Sequence, residues 1–288
     1  MRGYFLFTFC LAGLLSFSFF ILMASNLFIF WLFLELCTLC LVPMFFLDSG
    51  CLGLNGLFSY LIVSSVSSSF LVGGMLFEAF LWLFLLGLLI KFGIFPFLGW
   101  VYVVVNNSNW YVVWGLSTVL KIPFFIIPFF MFSFENDLVS VACSFSFASL
   151  LLLFWLFTNS WAMCWCHMML SSSAALIVMS CSQPTESLSI LFSVYFIWAS
   201  LSILFISAQE DFGLVSVSSA FLFSFFFLSF PFSFSIFYKF LMTGYMFSCY
   251  VYVFISWVAY TVSEQLYLTK FLVDTTVPRS VFNGFFLV

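Results

Sequence analysis

The chain has 288 residues, is 66% hydrophobic and only 6% charged, with a mean hydropathy of +1.29 and a formal charge of −4. Soluble domains carry about 25% charged residues, so this chain lacks the polar side chains to cover a globule in water, and a soluble catalytic head is excluded. At roughly 20 residues per crossing, its length allows about ten transmembrane helices and little else.

In chain order, the apolar runs and their polar breaks give ten predicted spans. Run one is Tyr4 to Met23, ended by Ser25-Asn26; it is longer than the apolar core of a signal peptide and reads as the first span. Run two is Leu27 to Leu47, ended by Asp48, and run three is Leu54 to Phe77, ended by Glu78. Run four goes from Ala79 to about Val105, and run five from Trp110 to Phe132, closed by Glu135-Asn136-Asp137. Runs six, seven and eight are Val139 to Phe157, Ala162 to Met179 and Leu188 to Ile206. Leu214 to Val262 must hold two more, the ninth at Ser216 to Leu241 and the tenth at Thr243 to Val262, followed by a tail from Ser263. Only Arg2, Lys270 and Arg279 are loop cations, too few to orient the chain by charge.

Three of the six Lys and Arg residues lie inside these runs, Lys91, Lys121 and Lys239, and Glu35 joins them. A charge near the bilayer centre costs roughly 2.5–3.5 kcal/mol on insertion scales, and a hydrophobic helix has no structural need of one. Four such residues on separate helices point to a line of protonatable groups. The bland alternatives are a lysine that snorkels to an interface and a neutral, hydrogen-bonded Glu35. Snorkelling fits Lys121 least, since it sits mid-run, and Lys239 most, since the boundary of its span is ambiguous.

Helix breakers accompany the lysines. Gly93 and Pro96 follow Lys91, Pro123 follows Lys121, and Pro231 precedes Lys239. Proline removes a backbone donor and clashes with the preceding turn, so runs four and nine are expected to be broken. A lysine and a break in runs five apart fits two five-helix repeats, residues 1–135 and 136–262, with a short tail, 263–288. The nine cysteines lie mostly in apolar runs; Cys37 and Cys40 form the single CxxC, and His167 beside Cys164 and Cys166 has no matching zinc-ligand set. They read as structural thiols. The 49 phenylalanines with few alanines fit a T-rich coding sequence, common in organellar genomes.

The order of Glu in run two and Lys in runs four, five and nine resembles the chain 2 family of NADH:ubiquinone oxidoreductase, an antiporter-like subunit of mitochondrial complex I. The local matches are Leu34-Glu35-Leu36, Leu89-Ile90-Lys91-Phe92-Gly93-Ile94-Phe95-Pro96-Phe97 with Trp100, Leu120-Lys121-Ile122-Pro123, the serine-rich Ser171-Ser172-Ser173-Ala174, and Pro231 to Lys239. The chain departs from that pattern at Leu98 and near Ala175, where the family has histidines, and in the ninth run, where Pro231 stands in place of a Gly- and Pro-rich segment. Animal members also have an eleventh span, for which the tail looks too short. A lysine at the last site separates it from the related chain 4, kept as an alternative.

The resemblance implies an all-α polytopic membrane protein with inverted repeats and broken helices, located in the mitochondrial inner membrane. It implies proton translocation through Glu35, Lys91, Lys121 and Lys239, driven by NADH oxidation and ubiquinone reduction elsewhere in the complex. The partners are then other membrane-arm subunits and the lipid bilayer, with no nucleic acid. The chain has no dinucleotide fingerprint, cluster-spaced cysteines or haem-type histidine pair, so NADH, FMN, iron–sulfur clusters and ubiquinone are expected to be held by the rest of the assembly. The rival functions are a stand-alone cation/proton antiporter, with the same buried residues, and a receptor or membrane scaffold.

Overall fold

In a computed structural model, residues 2–47, 51–76, 81–125, 136–209 and 217–276 are described. Among these, the regular elements are helices only. Run one is α1 (Arg2–Leu22); run two is α2 (Leu27–Leu41), which tightens into a 3-10 segment, Val42–Phe46, where Pro43 lacks a donor. Run three is α3 (Cys51–Leu76). Run four is split into α4 (Leu81–Phe92) and α5 (Gly99–Asn107), and run five into α6 (Trp110–Ser117) and a second 3-10 segment, Val119–Phe125. Runs six, seven and eight are α7 (Asn136–Phe157), α8 (Trp161–Ser182) and α9 (Thr185–Ser207). Run nine is split into α10 (Val217–Phe227) and α11 (Phe234–Met246), and α12 (Val251–Thr276) completes the described chain. The break residues Asp48, Glu78, Glu135, Glu210 and Asp211, the end of run five, and Arg279 lie outside the described residues.

Six helical segments are each long and apolar enough to cross a membrane, in runs one, two, three, six, seven and eight. Their outer faces carry Phe5, Phe9, Phe58, Leu152 and Leu156, all exposed. Such an apolar exterior suits lipid, and helices apolar all round rather than along one stripe are those of a membrane bundle.

One helix is withdrawn from that exterior along most of its length. α8 packs against α5, α7, α9, α11 and the 3-10 segment of run five, and every residue from Cys164 to Ser180 is buried. It starts at Ser160, whose hydroxyl accepts from Met163 N, satisfying a free amide of the first turn. Enclosure lets α8 carry His167, which a lipid-facing helix of the same length would hold at a loss.

The last helix differs from the sequence expectation. The tenth span was placed at Thr243 to Val262, but α11 continues to Met246 and α12 runs from Val251 to Thr276. The polar triplet Ser263-Glu264-Gln265 marks no end: it lies inside α12, with Ser263, Glu264 and Leu268 buried. The expected boundary at 262 therefore cuts a continuous helix, and Ser263 to Thr276 is no tail. Lys239, whose span boundary was ambiguous from sequence, lies within α11.

Candidate functional site

The break in run four places Lys91 in the last turn of α4. The helix stops because Gly93 takes a left-handed φ of +65°, a conformation that glycine adopts without penalty, and a Cβ there would lie 2.5 Å from Val101 Cγ2. The freed backbone is satisfied by neighbours: Trp100 Nε1 donates to Ile90 O (3.0 Å) and Phe95 N to Ser146 Oγ of α7 (2.9 Å). Irregular backbone at membrane depth needs such partners.

Across from this break, α2 presents Glu35. Lys91 Nζ donates to Glu35 Oε1 at 2.5 Å. Thr38, one turn on, donates to the Glu35 carbonyl oxygen at 2.7 Å, and Tyr60 donates to Thr38 O at 3.3 Å. The pair is largely buried, and each charge offsets the desolvation of the other.

Lys121 sits in the 3-10 segment of run five, 2% exposed. Among the described residues, no carboxylate is hydrogen-bonded to it. Its Nζ donates to Met169 O (2.8 Å), Ser172 Oγ (2.5 Å) and Tyr195 Oη (2.8 Å), and lies 4.6 Å from the centre of the Tyr195 ring. Tyr195 gives its own proton to Ser117 O (2.8 Å) and Ser172 lies 2.8 Å from Met169 O. With both hydroxyl protons turned to carbonyls, the site takes all three N–H bonds of an ammonium.

Lys239, on α11, donates to Glu264 Oε1 of α12 at 2.7 Å. Run nine is interrupted between Phe227 and Phe234, around Pro231. Its loose backbone is held by Trp198 Nε1 on Phe226 O (2.8 Å) and by Gln265, which accepts from Ser229 N (2.9 Å) and donates to Phe227 O (3.2 Å). Ser233 caps α11 by accepting from Ile236 N (3.2 Å). Each broken run thus has a tryptophan indole on a carbonyl at the end of its first half.

Two cavities join these centres. One of about 50 Å³, with room for a few waters, is lined by Lys91, Lys121, Thr38, Tyr60 and Ser173. The other, about 30 Å³, is lined by Ser171, Ser172, Tyr260, Lys239 and Glu264. Ser172 faces the second cavity while bonded to Lys121, so it connects the two.

The structure thus brings Glu35 to Lys91 and puts Lys91 and Lys121 on one cavity, while Lys239 stands beyond Ser172. Gly93 and Pro96 lie in the first break, Pro231 in the second, and Pro123 within the 3-10 segment beside Lys121. Sequence reasoning missed Glu264, because the polar triplet looked like a helix end; the apolar residues resuming at Leu266, Leu268 and Phe271 were the available signal. It also missed Tyr195, which nothing in the local sequence distinguishes. His167 is fully buried on α8, its Nδ1 2.7 Å from Tyr102 Oη. Among the described residues, no group of three or more His, Cys, Asp or Glu is arranged to hold a metal, and the eight cysteines whose side chains are described are free thiols.

No family model and no curated protein matches the sequence. Among solved structures, the chain is similar to a chain of respiratory complex I from Thermus thermophilus with bound aureothin, with a TM-score of 0.76 at 13% identity, covering 95% of this chain and 71% of that one. It is also similar to a chain of the Mrp complex from Dietzia sp., with a TM-score of 0.78 at 16% identity, covering 93% of this chain and 60% of that one. At these identities the likeness is one of fold. The chain is a multi-pass membrane protein of the antiporter-like fold.

Proposed function

We propose that this chain is a proton-translocating membrane subunit of a respiratory NADH:ubiquinone oxidoreductase, corresponding to chain 2, in the mitochondrial inner membrane. The observation that carries the reading is the buried line from Glu35–Lys91, through one cavity to Lys121, and through Ser172 and a second cavity to Lys239 and Glu264. The fold likeness to a chain of respiratory complex I supports it.

Burial penalises each ammonium, and a carboxylate at hydrogen-bond distance offsets that penalty. A small change in the separation of Glu35 and Lys91 therefore shifts the charge balance of the pair. Lys121, held by Met169 O, Ser172 and Tyr195, passes a proton on when a water or hydroxyl beside it reorients. Lys239 receives the charge at the far end. Residues 1–135, and 136–262 with the rest of α12, act as two repeats, each with a helix broken beside a lysine. NADH, FMN, iron–sulfur clusters and ubiquinone reside in other subunits, and the partners are the neighbouring membrane-arm chains.

Native electrophoresis of mildly solubilised membranes tests this. The expected result is comigration of the chain with a very large NADH-oxidising assembly. Migration apart from any NADH-oxidising activity would reject the subunit reading and favour a cation/proton antiporter built on the same residues.

A further inference from the structure

The relay as described contains three lysines, and an ammonium cannot receive a proton until it has lost one. A line of cations needs a base at each point where protons arrive. Glu35 supplies one beside Lys91. On the other side of Lys121, Glu264 is the carboxylate lining the second cavity.

Glu264 is 4% exposed, and its Oε1 accepts from Lys239 Nζ (2.7 Å) and from Gln265 Nε2 (3.3 Å). Tyr260, one turn earlier on α12, lines the same cavity with a buried Oη close to Ser171. About 30 Å³ holds one or two waters, and Ser171, Ser172, Tyr260 and Glu264 give them polar partners. Glu264 and Gln265 also grip both halves of the broken run, Glu264 through Lys239 of α11 and Gln265 through Phe227 O and Ser229 N at the end of α10.

Resting on the proton-relay reading, we propose that Glu264 is the proton acceptor that takes the charge leaving Lys121 and hands it toward Lys239. In this step one N–H bond of the Lys121 ammonium breaks and one O–H bond forms on the Glu264 carboxylate, through Ser172 and the cavity. The products are a neutral amine and a neutral carboxylic acid, so a cation and an anion are discharged together and no net charge is created. Protonated Glu264 no longer neutralises Lys239, whose ammonium then releases its own proton outward; the O–H bond of Glu264 breaks, an N–H bond forms on the Lys239 amine, and the charged pair is restored. The step loosens the contact that ties α12 to α11, beside the break at Pro231.

The test compares Glu264→Gln, Lys121→Met and the unmodified chain in native membranes, by NADH-driven proton translocation and turnover-induced infrared difference spectra. Glu264→Gln is expected to lower translocation by about 100-fold, the lower end of what a positioned proton-transfer group contributes, and to remove a protonated-carboxyl band. Unchanged translocation in Glu264→Gln, with translocation lost in Lys121→Met, overturns the assignment and leaves the relay standing. Unchanged translocation in both overturns the relay and the assignment with it. Should Glu264→Gln fail to accumulate, Glu264→Asp takes its place: a displaced carboxyl band supports the proposal, and a spectrum identical to the unmodified one overturns it. A glutamate that merely braces α11 gives no such band.

Discussion

Tyr195 meets Lys121 twice, through an Oη that accepts from Nζ at 2.8 Å and through a ring whose centre lies 4.6 Å from the same nitrogen. The hydroxyl also ties the lysine to Ser117 O, at the end of α6. A buried ammonium is thus held by one aromatic side chain, one serine and one carbonyl.

Tyr195→Phe keeps the ring and removes the hydroxyl, leaving one N–H of Lys121 and the Ser117 carbonyl without their partner. The expected loss of stability is about 1–3 kcal/mol, the usual penalty for an unsatisfied buried group. Thermal unfolding of the purified protein in detergent checks this, and an unchanged Tm would mean that Tyr195 is not what satisfies Lys121.

Lys121→Met keeps the length of the side chain and removes its charge. Met suits an apolar interior, and Tyr195 and Ser172 keep Ser117 O and Met169 O as acceptors. Normal accumulation with proton translocation lowered by about 100-fold is expected, read in vesicles from assembled membranes. Full translocation in an assembled variant removes Lys121 from the relay.

Glu35 and Lys91 are expected to be energetically coupled. Removing either partner of a buried pair costs about 3–5 kcal/mol, because a charge is left behind. Glu35→Gln and Lys91→Met are each expected to destabilise the protein, and the double variant to be more stable than the sum predicts by about 0.5–3 kcal/mol. A double-mutant cycle on Tm or denaturant midpoint measures this; additive effects would show that the contact does not bind the two helices.

Gly93→Ala tests the first break. A left-handed backbone costs a residue with a Cβ about 1–2 kcal/mol, and the added methyl meets Val101 Cγ2 at 2.5 Å. A lower Tm is expected, with the strain relieved by displacement of α5. An Ala variant as stable as the parent would indicate that the turn between α4 and α5 adapts freely.

Much of the fold was legible because a bilayer makes composition so restrictive. Span lengths, the enclosed charges and the breaks at Pro96 and Pro231 follow from apolar runs and a few misfit residues. A lysine partner for Glu35 was also within reach, since it was the one carboxylate placed inside the apolar runs. The partners of Lys121 were not, because a neutral cage leaves no charge pattern in the sequence and Tyr195 lies 74 residues away. Glu264 was hidden for the opposite reason: its signal was clear, but a polar triplet in an apolar chain reads as a loop unless the hydrophobic residues beyond it are counted as helix.

The enclosure of α8 also bears on how the chain is made. Its span has a mean hydropathy of 1.5, against 2.1 for the spans of α7 before it and α9 after it. As the ribosome delivers the chain in order, α8 enters the bilayer before α9, α11 and α12 exist to cover its serines, whereas His167 meets Tyr102 of α5 and Phe154 of α7, both already made. Its insertion leans on α7, already in place and packed along it, and on the rapid arrival of α9. In the interval between α8 and α11, the serines of the helix destined for the middle still face lipid.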